Sequence, residues 1–253
     1  MESVLERWVL KPAKGLVTVS NPMADQLTSL HGKPTKVVYN CYPQDSAELP
    51  LVDDSYNVEL PLKILYAGRV YPKYRMPDIL FEAIQGLLKE GAVDPAELRL
   101  DFLCSNHGWL IRWMQQHYPS LAGVCSIMPP VSLEEALKKQ RQSHLLLTIG
   151  WFGPGHEGVV TSKFFEYLGS GRKMLCVLKP GGALESISRQ IPGLELAHNV
   201  REAREVLLKL TNEARRGSRI TLPPDYWRKA GRFACQEQAK RLSDLLRGFV
   251  QSG

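Results

Sequence analysis

GHEGVVTSKFFEYLGSGR, residues 155–172, is the stretch on which the fold turns. A glycine-rich loop runs into a helix-forming segment, so free backbone N–H groups and the positive end of the helix dipole face whatever lies ahead of them. Such a loop suits a diphosphate, and Lys163 in the first turn adds a point charge. Glu166 follows three residues later, one helical turn on, so both side chains project to one side. A carboxylate there can accept two hydrogen bonds from the cis-diol of a ribose. The same two residues also read as an exposed Lys–Glu pair on a surface helix, and taken alone they do not separate the two readings.

Outward from this stretch the chain alternates short apolar runs with helical patterns. Leu145–Ile149 is apolar almost throughout and leads into the Gly-rich residues 150–158, with the helix expected over Lys163–Ser170. Met174–Leu178 follows as a buried strand, closed by Lys179-Pro-Gly-Gly182 and then a helix. Upstream, Lys63–Ala67 is a β-type run ended by Gly68-Arg69, with a helix over about Pro77–Glu90. Leu98–Cys104 is a further strand, followed by a helix near Trp109–His117. Gly123–Met128 reads as a strand closed by Pro129-Pro130, and Ser132 with Glu135 forms a capping-box pattern for a helix over Ser132–Gln140. At the start, Gly15–Ser20 and Lys36–Tyr39 are strands flanking a helix over Pro22–Leu30, capped by Ser20 or Asn21. Residues 44–60 are polar without period and read as a linker. Tyr226–Val250 carries Phe233, Leu242, Leu245, Leu246 and Phe249 among many charges, and reads as an amphipathic closing helix.

Strands apolar throughout, alternating with helices, imply a parallel sheet covered on both faces: an α/β, Rossmann-like fold. Ligands bind such sheets outside the carboxyl ends of the strands. Gly68-Arg69, Gly150–Gly158 and Lys179–Gly182 therefore share one binding edge. Four units follow: residues 1–43, a strand–helix–strand; 44–60, the linker; 61–225, the sheet domain; and 226–253, the closing helix.

The 253 residues are 44% hydrophobic and 23% charged, with a formal net charge of +6. That length buries enough surface to need no disulfide or metal staple. The basic excess fits solvated helix faces, an anionic ligand or an anionic membrane surface. The five cysteines (Cys41, Cys104, Cys125, Cys176 and Cys235) are widely spaced, odd in number and without CxxC, a pattern of reduced thiols in a cytosolic protein. Residues 1–30 interleave Glu2, Glu6, Arg7, Lys11 and Lys14 with apolar positions, so they form neither a signal peptide nor a span. Nucleic-acid binding is unsupported, because the basic residues are dispersed and the aromatics fall on apparent core faces. No G-x-G-x-x-G follows the first strand, which argues against a dinucleotide oxidoreductase.

A second element, Ala67-Gly-Arg-Val-Tyr-Pro-Lys73, places Arg69 and Lys73 in a loop just past a strand, where a bidentate Arg and a Lys can clamp phosphate oxygens. Together the two elements resemble the C-terminal, donor-binding half of GT-B glycosyltransferases, in particular the large family 4 group of retaining enzymes. Four pieces stand in the family's order. AKGLVTVSNPMADQL with VVYNCYP resembles the end of its N-terminal domain, and LKILYAGRVYPK its first C-domain strand and phosphate loop. SLEEALKKQRQSHLLLTI resembles the helix and strand before the donor loop, and EGVVTSKFFEYLGSGRKMLCVL the donor loop and helix.

The resemblance implies a transferase that moves a sugar from a nucleotide-diphosphate sugar to an acceptor sugar or lipid-linked glycan, with retention, and without a metal or other cofactor. It implies that Gly68, Arg69 and Lys73, with Lys163 and the backbone of Val160, Thr161 and Ser162, hold the donor diphosphate. Glu166 would hold the ribose, Pro130 and Val131 would meet the nucleobase, and Glu157 would stand near the transferred sugar as the first of the family's paired glutamates. Eight residues separate Glu157 from Glu166, where the family has seven, and His144 stands where the family has Asp. A lone His beside a buried strand reads as structural. In this family the acceptor site belongs to the N-terminal domain, and residues 1–60 hold about one strand–helix–strand unit of it. The expectation is a donor half whose acceptor domain lies on further sequence or a separate chain, or else a non-catalytic nucleotide-sugar-binding subunit that needs a partner. The 2-epimerases that share the architecture are a lesser alternative. Family use further implies a protein of polysaccharide biosynthesis in the cytoplasm, either free or peripheral at the inner membrane face.

Overall fold

The computed structural model describes residues 2–43 and 55–251. Its centre is a six-stranded sheet, parallel throughout, of β4 (Leu62–Ala67), β5 (Leu98–Leu103), β6 (Cys125–Met128), β7 (Leu145–Ile149), β8 (Lys173–Val177) and β9 (Glu195–Ala197), in the order β6-β5-β4-β7-β8-β9. Period-two alternation divides each inner strand between two cores. Ile64 and Tyr66 of β4 and Leu145 and Leu147 of β7 join Phe81, Ile84, Phe102, Leu110 and Leu207. Leu65, Ala67 and Leu146 join Phe164, Phe165, Leu168, Tyr226 and Phe233 on the opposite face. The first core is closed by α3 (Asp78–Lys89), α4 (His107–His117) and α8 (Val200–Arg215). The second is closed by α6 (Ser162–Leu168), α7 (Ala183–Ser188) and α9 (Tyr226–Ala230). α5 (Leu133–Gln142) connects β6 to β7, and Ser132 Oγ caps it by accepting the Glu135 amide at 3.2 Å. This is the Rossmann-like α/β fold expected.

The chain begins with α1 (Glu2–Leu10), then β1 (Leu16–Thr18), α2 (Asn21–His31) and β2 (Thr35–Val37), with β1 and β2 forming a two-stranded parallel sheet of their own. This unit is tied to the rest. Ser20 Oγ donates to the Gly158 carbonyl at 2.7 Å, and the Tyr39 amide donates to Gln238 Oε1 at 2.8 Å.

Several expectations need correction. Most of the 44–60 linker lies outside the described residues, but Ser55–Asn57 is a strand, β3, antiparallel to β10 (Arg219–Thr221). Buried Tyr56 at its centre explains why so short a run holds: its hydroxyl donates to the His144 carbonyl at 3.0 Å and accepts the Lys173 amide at 2.9 Å. The C-terminal tail is not one helix. α9, a 3₁₀ turn (Gly231–Phe233) and α10 (Cys235–Gln251) succeed one another, because Ala234 is extended and pairs with Tyr42. The Tyr42 amide donates to Phe233 O at 3.2 Å and the Cys235 amide to Tyr42 O at 3.0 Å, so these backbone groups serve a crossover, not a continuous helix.

The cysteines also differ from expectation. Cys41 and Cys235 form a disulfide across 194 residues at that same crossover. Cys104, Cys125 and Cys176 are free and buried. The disulfide removes the support that cysteine usage lent to a reducing compartment. Among the described residues no helix is long and apolar enough to cross a membrane.

Candidate functional site

From β4 the chain winds outward to β5 and β6, then returns to pair β7 with the other side of β4. This reversal makes a topological switch point, and the crevice outside the carboxyl ends of β4 and β7 is where such sheets take ligands. The two loops singled out from the sequence, after β4 and after β7, meet there.

The first loop is pinned on both flanks. Tyr66 Oη donates to Arg69 O at 2.8 Å, and Asn106 Nδ2 donates to Val70 O at 2.9 Å. A Cβ on Gly68 would stand 3.1 Å from the Tyr66 hydroxyl, so glycine lets the strand end pass this ring. The loop then folds back on itself, the Tyr71 amide donating to Arg75 O at 3.1 Å and the Arg75 amide to Tyr71 O at 2.8 Å. Lys73 sits at the tip with φ 71°, in the left-handed region that a lysine rarely adopts. Arg69 and Lys73 are both exposed at the sheet edge.

The second loop locks onto the first. The Phe152 amide donates to Tyr74 O at 2.6 Å. Trp151 stacks on Tyr74 at 4.9 Å and meets Tyr71 edge-on at 5.7 Å, while Arg75 lies 5.8 Å from the Trp151 ring centre. A Cβ on Gly153 would collide with both the Tyr74 and Trp151 rings, so glycine is required where the loops cross. The loops after β4 and β7 thus form one surface.

Beyond this crossing the second loop runs past Glu157 to α6. The Glu157 side chain is 56% exposed and lies 3.2 Å from His156 Nδ1, while its backbone carbonyl accepts the Ala183 amide at 2.8 Å. Val160 is buried, Ser162 is exposed, and Thr161 enters α6 in extended conformation without a side-chain cap. Lys163 and Glu166 pair with each other, Lys163 Nζ lying 2.9 and 2.7 Å from the two carboxylate oxygens. Gln140 Nε2, fully buried on α5, donates to Glu166 Oε1 at 2.5 Å. The pair is therefore half-buried and fixed from a second helix. Among the described residues no hydrogen bond or ion pair joins Glu157 to Glu166.

Exposed Pro130 and half-buried Val131 follow the end of β6, and Val131 packs on the core cluster that holds Val160 and Phe164. The segment they begin continues as α5 to Gln140, which links this turn to Glu166. His144 behaves as a structural residue. It is 7% exposed, its Nδ1 accepts the Lys63 amide at 3.1 Å, and burial with nearby Lys63 pushes its pKa down to about 4.

Tyr167 is a residue shaping this edge that sequence reasoning misses. Fully buried on α6, its hydroxyl accepts the Ala67 amide at 2.7 Å and lies 3.3 Å from Ala67 O. It joins α6 to the last residue of β4, where the first loop starts. In KFFEYL it passes for one more apolar position. Asn106, Gln140 and the Tyr74–Trp151 stack are likewise invisible without the fold.

A six-stranded parallel sheet reversing between β4 and β7 is the doubly wound, Rossmann-like architecture, and solved structures that share it include glycosyltransferases of the GT-B type. A glycosyltransferase from Rickettsia africae superposes with a TM-score of 0.65 at 12% identity, over 99% of this chain and 67% of that one. The lipopolysaccharide outer core galactosyltransferase WaaB gives 0.62 at 13%, over 93% of this chain and 62% of its own. Staphylococcus aureus TarM gives 0.61 at 15%, over 95% of this chain and 46% of its own. The chain thus spans about half to two thirds of the length of these proteins, and the likeness is one of fold. Neither a protein-family model nor a curated protein sequence matches it.

Proposed function

We propose that this chain carries the nucleotide-sugar donor site of a retaining, metal-independent glycosyltransferase of the family 4 kind. The observation that carries the reading is the locking of the Gly68–Arg75 turn onto the Trp151–Gly153 turn at the switch point. It sets Arg69 and Lys73 beside a glycine-rich loop that opens α6. Gly68 admits the diphosphate, Arg69 and Lys73 neutralise its charge as the leaving group departs, and the amides of Val160, Thr161 and Ser162 cup its oxygens. Lys163 and Glu166 hold each other in the free protein; on binding, Lys163 turns to phosphate and Glu166 to the ribose hydroxyls, with Gln140 keeping the carboxylate in place. Pro130 and Val131 border the base, and Glu157 faces the transferred sugar. Structural neighbours with UDP bound, TarM and the pneumococcal O-GlcNAc transferase GtfA, support a nucleotide at such a site.

One observation favours a second reading, a binding subunit completed by a partner chain. β1 and β2 form only a two-stranded sheet, and α1 exposes Val4, Leu5, Trp8 and Val9. A glycosyltransferase-like neighbour occurs in a two-chain assembly, the GtfA/B complex.

Calorimetry with UDP, GDP, ADP and CMP tests the donor reading. The expected result is selective binding of one diphosphate that weakens by roughly tenfold or more in both Arg69→Ala and Glu166→Ala, as loss of charge-assisted hydrogen bonds implies. Equal affinity in both variants would remove the site. Sugar transfer that appears only after a second polypeptide is added would favour the subunit reading.

A further inference from the structure

At the opposite, amino-terminal edge of the sheet lies a second concavity that the donor reading does not use, about 560 Å³ in volume. Its cations come from four separate elements. Lys63 is the second residue of β4, Arg99 the second of β5, Arg172 precedes β8, and Lys139 and Arg141 stand on the last turn of α5. Two carboxylates line it, Glu59 and Asp101. Asp101 is taken by Arg99, whose Nε lies 3.2 Å away. Lys63, Lys139 and Arg141 form no ion pair among the described residues, and burial lowers the Arg141 pKa. Five cations against two carboxylates leave an excess of like charge in one cleft, which focuses a positive field, an arrangement that an anion relieves.

The cleft is also built, with fixed walls. Ser143 and His144 line it at 7% exposure each. Because His144 Nδ1 accepts the Lys63 amide, the neutral ring carries its proton on Nε2 and is a donor. Tyr56, pinned between the His144 carbonyl and the Lys173 amide, forms another wall, with the Arg172 guanidinium 4.1 Å from its ring centre. The Ser143 hydroxyl donates to the Lys139 carbonyl at 2.7 Å and so fixes this wall, while Lys, Arg and neutral His offer donors in excess of acceptors, which is the chemistry of a phosphate receptor and not of a cation or neutral sugar site.

We propose that this cleft binds an anionic, phosphorylated ligand, at a site separate from the donor crevice. A soluble polyphosphate and an anionic lipid headgroup present the same chemistry, and two arms of one experiment distinguish them. Inorganic tripolyphosphate is titrated calorimetrically into the full chain, into Lys63→Gln/Lys139→Gln and into Arg69→Ala, and each protein is sedimented with phosphatidylglycerol and with phosphatidylcholine vesicles. Unliganded melting temperatures confirm that the variants are folded. The expected result is binding that Arg69→Ala retains and that the double variant weakens by roughly tenfold or more. Binding of tripolyphosphate without vesicle capture assigns a soluble ligand; capture by phosphatidylglycerol alone assigns a lipid headgroup. The proposal is overturned if neither probe binds, if binding is unchanged in the double variant, or if Arg69→Ala abolishes it. The last outcome would return the phosphate to the donor crevice and leave that reading intact.

Discussion

The two edges of the central sheet handle positive charge and backbone by different means, yet each relies on one buried tyrosine. At the carboxyl edge Tyr167 reaches across from α6 to hold Ala67 at the end of β4. At the amino edge Tyr56 reaches across from β3 to hold the chain just before β7 and at the start of β8. Burial raises the pKa of both, to about 12 for Tyr56, so each stays a neutral hydroxyl able to donate and accept. Beyond these anchors the edges diverge. The carboxyl edge puts glycine and strained backbone in its loops and leaves Arg69 and Lys73 exposed, as suits a site that closes around a ligand. The amino edge places its cations on strand starts and a helix end, as suits a rigid receptor. Where the backbone is shaped and the side chains are free, the site reads from glycines; where the side chains form the walls, it reads only from the fold.

The comparison is most exposed to the tyrosines. Tyr167→Phe and Tyr56→Phe each leave a buried backbone amide unpaired and should cost up to about 3 kcal/mol in urea denaturation. Only Tyr167→Phe should also weaken diphosphate binding, and equal effects of the two on that binding would erase the distinction between the edges.

Next in size is the acid response of the amino edge. His144 is held at about 4, below the ordinary value of 6.5. The unfolded chain therefore binds a proton that the folded chain refuses, so stability falls as pH drops through the window from 6.5 to about 4 and levels below it. The loss should be on the order of 3 kcal/mol at most, and His144→Gln should flatten the slope across that window. A slope unchanged in the variant would assign the acid response to other groups.

Smallest is the strain at the carboxyl edge. Lys73→Gly relieves a left-handed residue at some cost in unfolded-state entropy, so it should stabilise the chain by about 0.5–1 kcal/mol while weakening diphosphate binding. Opposite signs in melting and in calorimetry would separate backbone strain from ligand contact.

Much of this arrangement was legible in the sequence. β4, β7 and β8 are apolar runs buried on both faces, and glycine with basic residues at their ends placed the crevice. α8 also carries a signal, Asn199 with Glu202 ahead of Val206, Leu207 and Leu210, that the sequence reading passes over. β3, β9 and β10 are three residues long, too short for a period to show. The Cys41–Cys235 pairing depends on a crossover that joins distant segments, and the basic cleft draws its lysines and arginines from positions that look like ordinary solvated charges. Tyr167 and Gln140 are hidden because their polar atoms act inside a core that composition scores as uniformly apolar.

The most direct test is amide chemical-shift mapping of the ¹⁵N-labelled chain titrated with UDP, GDP and ADP in turn. One nucleotide should move the amides of residues 68–75 and 150–166, including Gly68, Arg69 and Lys163, in a way the other two do not, while any shift at Lys63, Arg99 and His144 should be common to all three. Shifts confined to the amino edge, or no shifts with any of the three, would contradict a donor site at the switch point.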